Sequence, residues 1–366
     1  MLDEDQKLIQ FCQALPKVEL HAHFNGSISE HTVKKIIRYH KSKGNDLHLN
    51  LPPDELQDSS TIIDPFVLFK YFHDLTTDVK SVELAAYDVV EDFAKDSVKY
   101  LELRTTPKEN VALGMTTEDY IQALLSGIHS ASQENDIIVK VLLSINRAES
   151  SSKALQTVKL ANKYSRQENP VVIGIDFSGN PSKGDCKEFI PILKSAKEMG
   201  LKLSVHIAEN DQEYESSRLL SILPDRIGHG TYLHKFKPDV YNIVLQNKIP
   251  LEICMTSNLR GGTISSYENS HFNFWNNKQH PITLCTDDKG IFHSDLSNEY
   301  LMLLKHSEIL PHNLWDLSYN SIDLIFDSSV KSKMRSSWNR MKENYSSCTG
   351  DLAFVKRSAG DLAIMG

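Results

Sequence analysis

His21 and His23 stand two residues apart in the run Lys17-Val-Glu-Leu-His-Ala-His23. Side chains alternate between faces along a strand, so two imidazoles at this spacing share one face, with Cα atoms roughly 6.5 Å apart, and can converge on one metal ion. Alone, the pair reads better as two ordinary polar residues. Other candidates sit at the ends of later apolar runs: His206 ends Leu201-Lys-Leu-Ser-Val-His206, His229 ends Arg226-Ile-Gly-His229, and Asp287 with Asp288 follow Pro281-Ile-Thr-Leu-Cys-Thr. If these runs are parallel strands of one barrel, all their ends meet at one mouth. Imidazoles and a carboxylate suit zinc, which takes nitrogen and oxygen donors at ~2.0–2.2 Å and keeps a position for water. Iron or another divalent ion fits the same residue types.

A bound divalent cation brings the pKa of water toward roughly 7 and so provides a nucleophile for an electrophilic carbon at neutral pH. Expelling an amine then needs a proton donor. Glu209, three residues past His206 on the turn from strand to helix, reaches the same cavity. To donate at neutral pH its carboxyl must be raised by burial or by neighbouring carboxylates. Without His206 nearby, Glu209 would read as an exposed glutamate opening a helix.

These residues need a scaffold, and the chain supplies a rhythm of short β-branched runs alternating with segments of helical period from residue 17 to about 306. The strand candidates are Lys17–His23, Val98–Arg104, Ile137–Ser144, Val171–Phe177, Leu201–His206, Arg226–His229, Pro250–Thr256 and Pro281–Asp287. Amphipathic stretches between them, such as Glu118–Asn135, Lys153–Arg166, Lys187–Met199 and Asp239–Lys248, are long enough for crossover helices. The expected fold is an α/β (β/α)8 TIM barrel forming one domain over 1–366. A helical insertion follows the first strand at about 29–97, with helices near Val33–Tyr39, Pro65–Leu75 and Val82–Lys95, and could cap the mouth. A helical tail at about 307–350, with stretches Pro311–Phe326 and Val330–Tyr345, packs outside, and the last dozen residues are expected to be weakly ordered.

Length and composition agree with this scale. The 366 residues are 40% hydrophobic and 24% charged, enough for a core that excludes water. The net charge of −8 and the pI near 6.0 argue against a nucleic-acid polymer or an anionic membrane as partner, so any phosphate must be bound locally. Cys12, Cys186, Cys254, Cys285 and Cys348 form no CxxC pair, which points to a reducing compartment. The acidic, polar start lacks a secretory pattern, and no stretch has the length of a membrane span. A cytoplasmic monomer acting on a small molecule is expected.

In order along the chain, Pro16-Lys-Val-Glu-Leu-His-Ala-His23, Gly174-Ile-Asp-Phe-Ser-Gly179, His206-Ile-Ala-Glu209, Arg226-Ile-Gly-His-Gly230 and Thr286-Asp-Asp288 resemble the motifs of the adenosine deaminase family. The resemblance covers residue 16 to about 300. It implies one zinc per chain held by His21, His23, His206 and Asp287, with Glu209 as proton donor to a purine. It also implies His229 beside the reacting water as base or stabiliser, Asp288 against that water or purine N7, and the Gly179 N–H near the purine. Read from local sequence alone, Gly179 is a turn glycine before Pro181.

This sequence departs from the family's nucleoside deaminases in three places. Asn25 replaces an aspartate resembling a ribose 5′-hydroxyl contact, Arg104-Thr-Thr-Pro-Lys108 ends the second strand, and Ile207-Ala208 replaces a small Ala-Gly pair. With Met255-Thr-Ser-Asn258, these features most resemble the adenosine-deaminase-like branch, the N6-methyl-AMP deaminases. A carboxylate at position 25 would repel a 5′-phosphate, whereas an amide can donate to it. Thr105, Thr106, Pro107 and Lys108 are placed to complete a phosphate site, with His73 of the insertion closing over it. Lys108 as a solvated loop residue and His73 as a surface residue are the plainer readings. The expected reaction is hydrolysis of N6-methyl-AMP to IMP and methylamine. Adenosine or AMP deamination, or purine binding without catalysis, are the alternatives.

Overall fold

A computed structural model describes residues 4–44 and 65–348, so the middle of the insertion and the expected weak order of the last dozen residues lie outside the described residues. Eight strands run β1 (Lys17–His23), β2 (Val98–Thr105), β3 (Ile138–Asn146), β4 (Val172–Ser178), β5 (Lys202–Ile207), β6 (Arg226–His229), β7 (Leu251–Ile253) and β8 (Ile282–Leu284). Each pairs in parallel with the next in sequence order. A bridge between Ala22 and Asp287 returns the sheet to β1. There Asp287 N donates to His21 O and His23 N donates to Asp287 O, each at 2.8 Å. The expected (β/α)8 barrel is the observed one.

The alternation of each strand decides what fills the barrel. On β1 the apolar Val18, Leu20 and Ala22 alternate with Lys17, Glu19 and His21, and all six are buried. Helices cover the outside: Thr117–Glu134, Ser151–Ser165, Cys186–Glu198 and Pro238–Asn247 bury their apolar stripes there. The first three start where side chains satisfy free N–H groups of the first turn, as Thr116, Ser150 and Asp185 do, and the fourth opens on Pro238.

Most strand bounds shift by a residue or two from the sequence expectation, and the larger differences lie in β7, β8 and the start of the chain. β7 and β8 are only three residues each, because the chain turns into a short helix at Met255–Arg260 and Asp287 takes a left-handed φ of +63°. A helix at Glu4–Ala14, not anticipated, buries Phe11 and Cys12 and lies against Leu296–His306. In the insertion, helices Glu30–Ser42, Pro65–Leu75 and Val79–Lys95 are present, and Phe69 and His73 of the second line the cavity at the mouth. The tail forms Pro311–Ser321 and Lys331–Cys348. No described helix is long and apolar enough to cross a membrane.

Candidate active site

The strand ends converge as the barrel requires. His21 Nε2 and His23 Nε2 each lie 3.3 Å from Asp287 Oδ1, and His23 Nε2 lies 3.3 Å from His206 Nε2. His229 Nε2 is 3.7 Å from the other oxygen, Asp287 Oδ2. One donor atom each from His21, His206, His229 and Asp287 fall within 4.8 Å of one another. That grouping brings in His229, which the sequence reading set beside the metal, and His23 joins it through Asp287 and His206. Donors ~2.0–2.2 Å from a shared ion at tetrahedral angles stand about 3.3–3.6 Å apart, the separation seen around Asp287 Oδ1.

The far sides of three of the four rings meet partners, as the ligand role proposed for such histidines would need. His21 Nδ1 pairs with Glu252 Oε2 at 2.7 Å, and its buried Nε2 has no hydrogen-bond partner. His206 Nδ1 makes a 3.2 Å ion-pair contact with Asp176 Oδ1, less well aligned than a hydrogen bond. Ser257 Oγ donates to Asp287 Oδ2 at 2.6 Å, leaving Oδ1 toward the imidazoles. The Asn258 amide lies 3.3 Å from His229 Nδ1.

Beneath the site runs a buried ladder of alternating charge. Arg104 donates to Asp176 and Glu252 at 2.9 Å each, and Arg226 Nε donates to Glu252 at 2.6 Å and through Nη2 to Glu102. Glu252 and Asp176 are held well below the usual carboxylate range: burial opposes ionisation, but Arg104 and the other cations facing them outweigh it. Sequence reasoning missed this ladder. Its signal was present in polar residues at alternate positions, Glu102 with Arg104 and Asp176 with Ser178, inside strands that otherwise read as core.

Protonation follows from the same surroundings. Burial lowers His23 well below its ordinary value and lowers His229 to about 4, so both are neutral near pH 7. Burial and Arg104 oppose a charge on His21, yet the facing Asp287 carboxylate and the hydrogen bond to Glu252 raise it to about 9. Burial raises Glu209, and Asp287 nearby adds to the shift. Burial and the adjacent Asp287 push Asp288 well above the carboxylate range, and its buried Oδ1 has no partner. That oxygen fits only because residue 26 is glycine: a Cβ there would lie 1.6 Å from it.

A cavity of about 380 Å³ opens above these groups, within the range of small-molecule sites. His23, Asn25, His73, Thr105, Thr106, Gly179, His206, Glu209, His229, Asp287 and Asp288 line it. Pro107 and Lys108 do not. Lys108 Nζ instead donates to His73 O and, at 2.9 Å, to Thr76 Oγ1, and Thr105 Oγ1 pairs with Tyr120 OH at 2.7 Å. Asn25 Nδ2 donates to Thr76 Oγ1 at 2.9 Å and to Phe72 O at 3.4 Å rather than into the cavity. The hub of this wall, Thr76, was not foreseen, nor were the lining residues Phe69, Asn146 and Lys183. Nothing in their local sequence marks them. Ala208 adopts φ +57°, a region glycine enters more easily, which explains why the related motif has glycine there.

Residues 16–339 match the family described as adenosine deaminase. The chain belongs to that family. It is a purine aminohydrolase. N6-methyl-AMP deaminase of Homo sapiens is 42% identical over 347 residues, covering 91% of this chain and 95% of that protein. The Arabidopsis thaliana N6-mAMP deaminase is 36% identical over 350 residues, covering 89% and 97%. A solved Arabidopsis ADAL complexed with IMP has a TM-score of 0.84 at 36% identity over 92% of this chain and 99% of that one. A second, complexed with GMP, gives 0.83 at 37% identity over 90% and 98%. The family is metal-dependent, and the donors around Asp287 form a set of residues that could hold the ion.

Proposed function

We propose that this family member hydrolyses N6-methyl-AMP to IMP and methylamine, with zinc as the metal. Relatives named for N6-methyl-AMP deamination, and neighbours solved with IMP or GMP, support a purine nucleotide as substrate. The observation that carries the reading is the charge of the wall beside β1. The neutral amide of Asn25 shares Thr76 Oγ1 with the Lys108 ammonium, so that side offers positive potential to a 5′-phosphate. Asp288 supports the same reading: burial and the adjacent Asp287 push its carboxyl up, and its unpartnered Oδ1 lies at the wall of the cavity.

In this reading His21, His23, His206 and Asp287 hold the ion. Bound there, it supplies a water-derived nucleophile at neutral pH. Glu209, whose carboxyl burial raises, gives its proton to the ring nitrogen next to the reacting carbon and lowers the barrier to addition. His229, neutral and turned toward Asp287 Oδ2, accepts or steadies the proton of the attacking water. The C6–N bond breaks, a C6 carbonyl replaces it, one water is consumed and methylamine leaves. Turnover of N6-methyl-AMP, AMP, N6-methyladenosine and adenosine tests the proposal. The highest kcat/KM is expected for N6-methyl-AMP. Preference for adenosine or AMP would move the substrate to the unmodified amine, and no turnover by metal-loaded protein would leave a purine-binding protein.

A further inference from the structure

Two loops cross the mouth on the side away from Asn25. Residues 179–185 follow β4 and carry Gly179 and Lys183, and residues 208–212 follow β5 and carry Glu209. One arginine joins the first loop to the helix that follows the second. Arg147, just after β3 and 4% exposed, donates from Nε to Lys183 O at 2.8 Å, and from Nη1 and Nη2 to the two Glu215 oxygens at 2.7 Å each. Its backbone N–H donates to Ser178 O at 2.9 Å. Glu215 lies in the first turn of Glu213–Leu220, the helix into which the Glu209 turn leads.

The first loop is shaped around this arginine. Gly179 has φ +105° and Gly184 φ +64°, and a Cβ on Gly184 would lie 2.1 Å from Arg147 O. A Cβ on Gly179 would meet Asn146 Oδ1 at 2.5 Å. Asn180 Oδ1 accepts from Ser182 N at 2.9 Å and closes the turn. The guanidinium face lies 5.8 Å from the Phe177 ring. A planar fork with three directed donors cannot be replaced by a lysine, whose single ammonium has neither the fork nor the second reach.

We propose that Arg147 and Glu215 form a clasp that fixes the Gly179 loop against the Glu209 turn, and so sets how a bound purine is presented to its proton donor. They are positioning residues, since neither lines the cavity. The proposal rests on Glu209 and Gly179 facing the substrate as read above. Geometry of this kind is steep: displacement by about 1 Å can reduce turnover by ~10²-fold.

The test uses full-length Arg147→Lys, Glu215→Gln and the double variant. Each single change is expected to lower kcat/KM at least ~10-fold, with a fall in kcat as well as a rise in KM, while bound metal stays as in the parent. The double variant should be no worse than the poorer single, because both break one clasp. Hydrogen exchange of the 179–185 amides should quicken in Glu215→Gln, which keeps the shape of the side chain. Unchanged kinetics with unchanged exchange, or additive losses in the double variant, would overturn the clasp. If the parent lacks deaminase activity the proposed function fails, and the exchange measurement still decides whether the two loops are fastened through Glu215.

Discussion

Asn25 and Lys108 donate to one oxygen, Thr76 Oγ1, both at 2.9 Å, and that shared acceptor makes position 25 sensitive to charge. An aspartate there loses the amide donor to Thr76 and Phe72 O, and draws the Lys108 ammonium toward itself. It also places a negative charge beside the proposed phosphate. At ~4–8 Å and an effective dielectric near 20 the repulsion is about 2–4 kcal/mol per unit phosphate charge. Asn25→Asp is expected to lower kcat/KM for N6-methyl-AMP by roughly 30-fold or more, with a much smaller change on N6-methyladenosine. Paired measurement of both substrates checks it, and equal losses would place the effect in folding or metal geometry. Glu209 allows a similar separation. Glu209→Gln should keep its metal and lose at least ~10²-fold in turnover, read by elemental analysis and steady-state rates on one preparation.

At the scale of elements, the short helix Met255–Arg260 supplies what the three-residue β7 cannot. It brings Ser257 to Asp287 and Asn258 to His229, while Thr256 N at its start donates to the buried Glu299 at 3.1 Å. Ser257→Ala would leave Asp287 Oδ2 buried without that donor, a penalty of about 1–3 kcal/mol. Metal affinity measured by chelator competition should therefore weaken roughly 5- to 100-fold, with the fold retained; unchanged affinity would mean that Ser257 does not hold the carboxylate. This helix also marks where the sequence ceased to be readable. β1 and β6 end where alternation and β-branching place them, because burial on both faces specifies such strands strongly. At Pro250–Thr256 the apolar run continues past the strand, and the turn at Met255 answers the needs of Asp287 and His229, which local propensity does not encode. Lys108 illustrates the same limit. Its residue type suggested phosphate, but its direction is set by Thr76, thirty-two positions earlier on an insertion whose docking has no periodic signature.

Across the whole molecule, the proposed ligands join β1, β5 and β8, strands far apart in the chain that only the closed barrel brings together. Below them, Glu252 and Asp176 anchor two of the imidazoles to Arg104, and Arg226 carries the ladder on to Glu102 and to Leu324 O of the tail at 2.9 Å. An ion bound by such a set binds the folded chain and not the unfolded one, so its binding energy adds to stability. At a free metal concentration about 1,000 times Kd the contribution is about 4 kcal/mol. With an unfolding entropy of ~2.1 cal/mol/K per residue, that is a shift of about 5 °C for a chain of this length. Protein purified without added metal is expected to contain about one zinc per chain by elemental analysis. Removing it with a chelator should lower Tm by several degrees and abolish turnover, and zinc should restore both. The strands themselves remain paired through backbone hydrogen bonds and the ladder, so the metal-free protein should stay folded at 25 °C, with far-ultraviolet circular dichroism unchanged. A metal-free preparation with the parent's Tm and full turnover would show that the histidines around Asp287 serve the reaction without an ion.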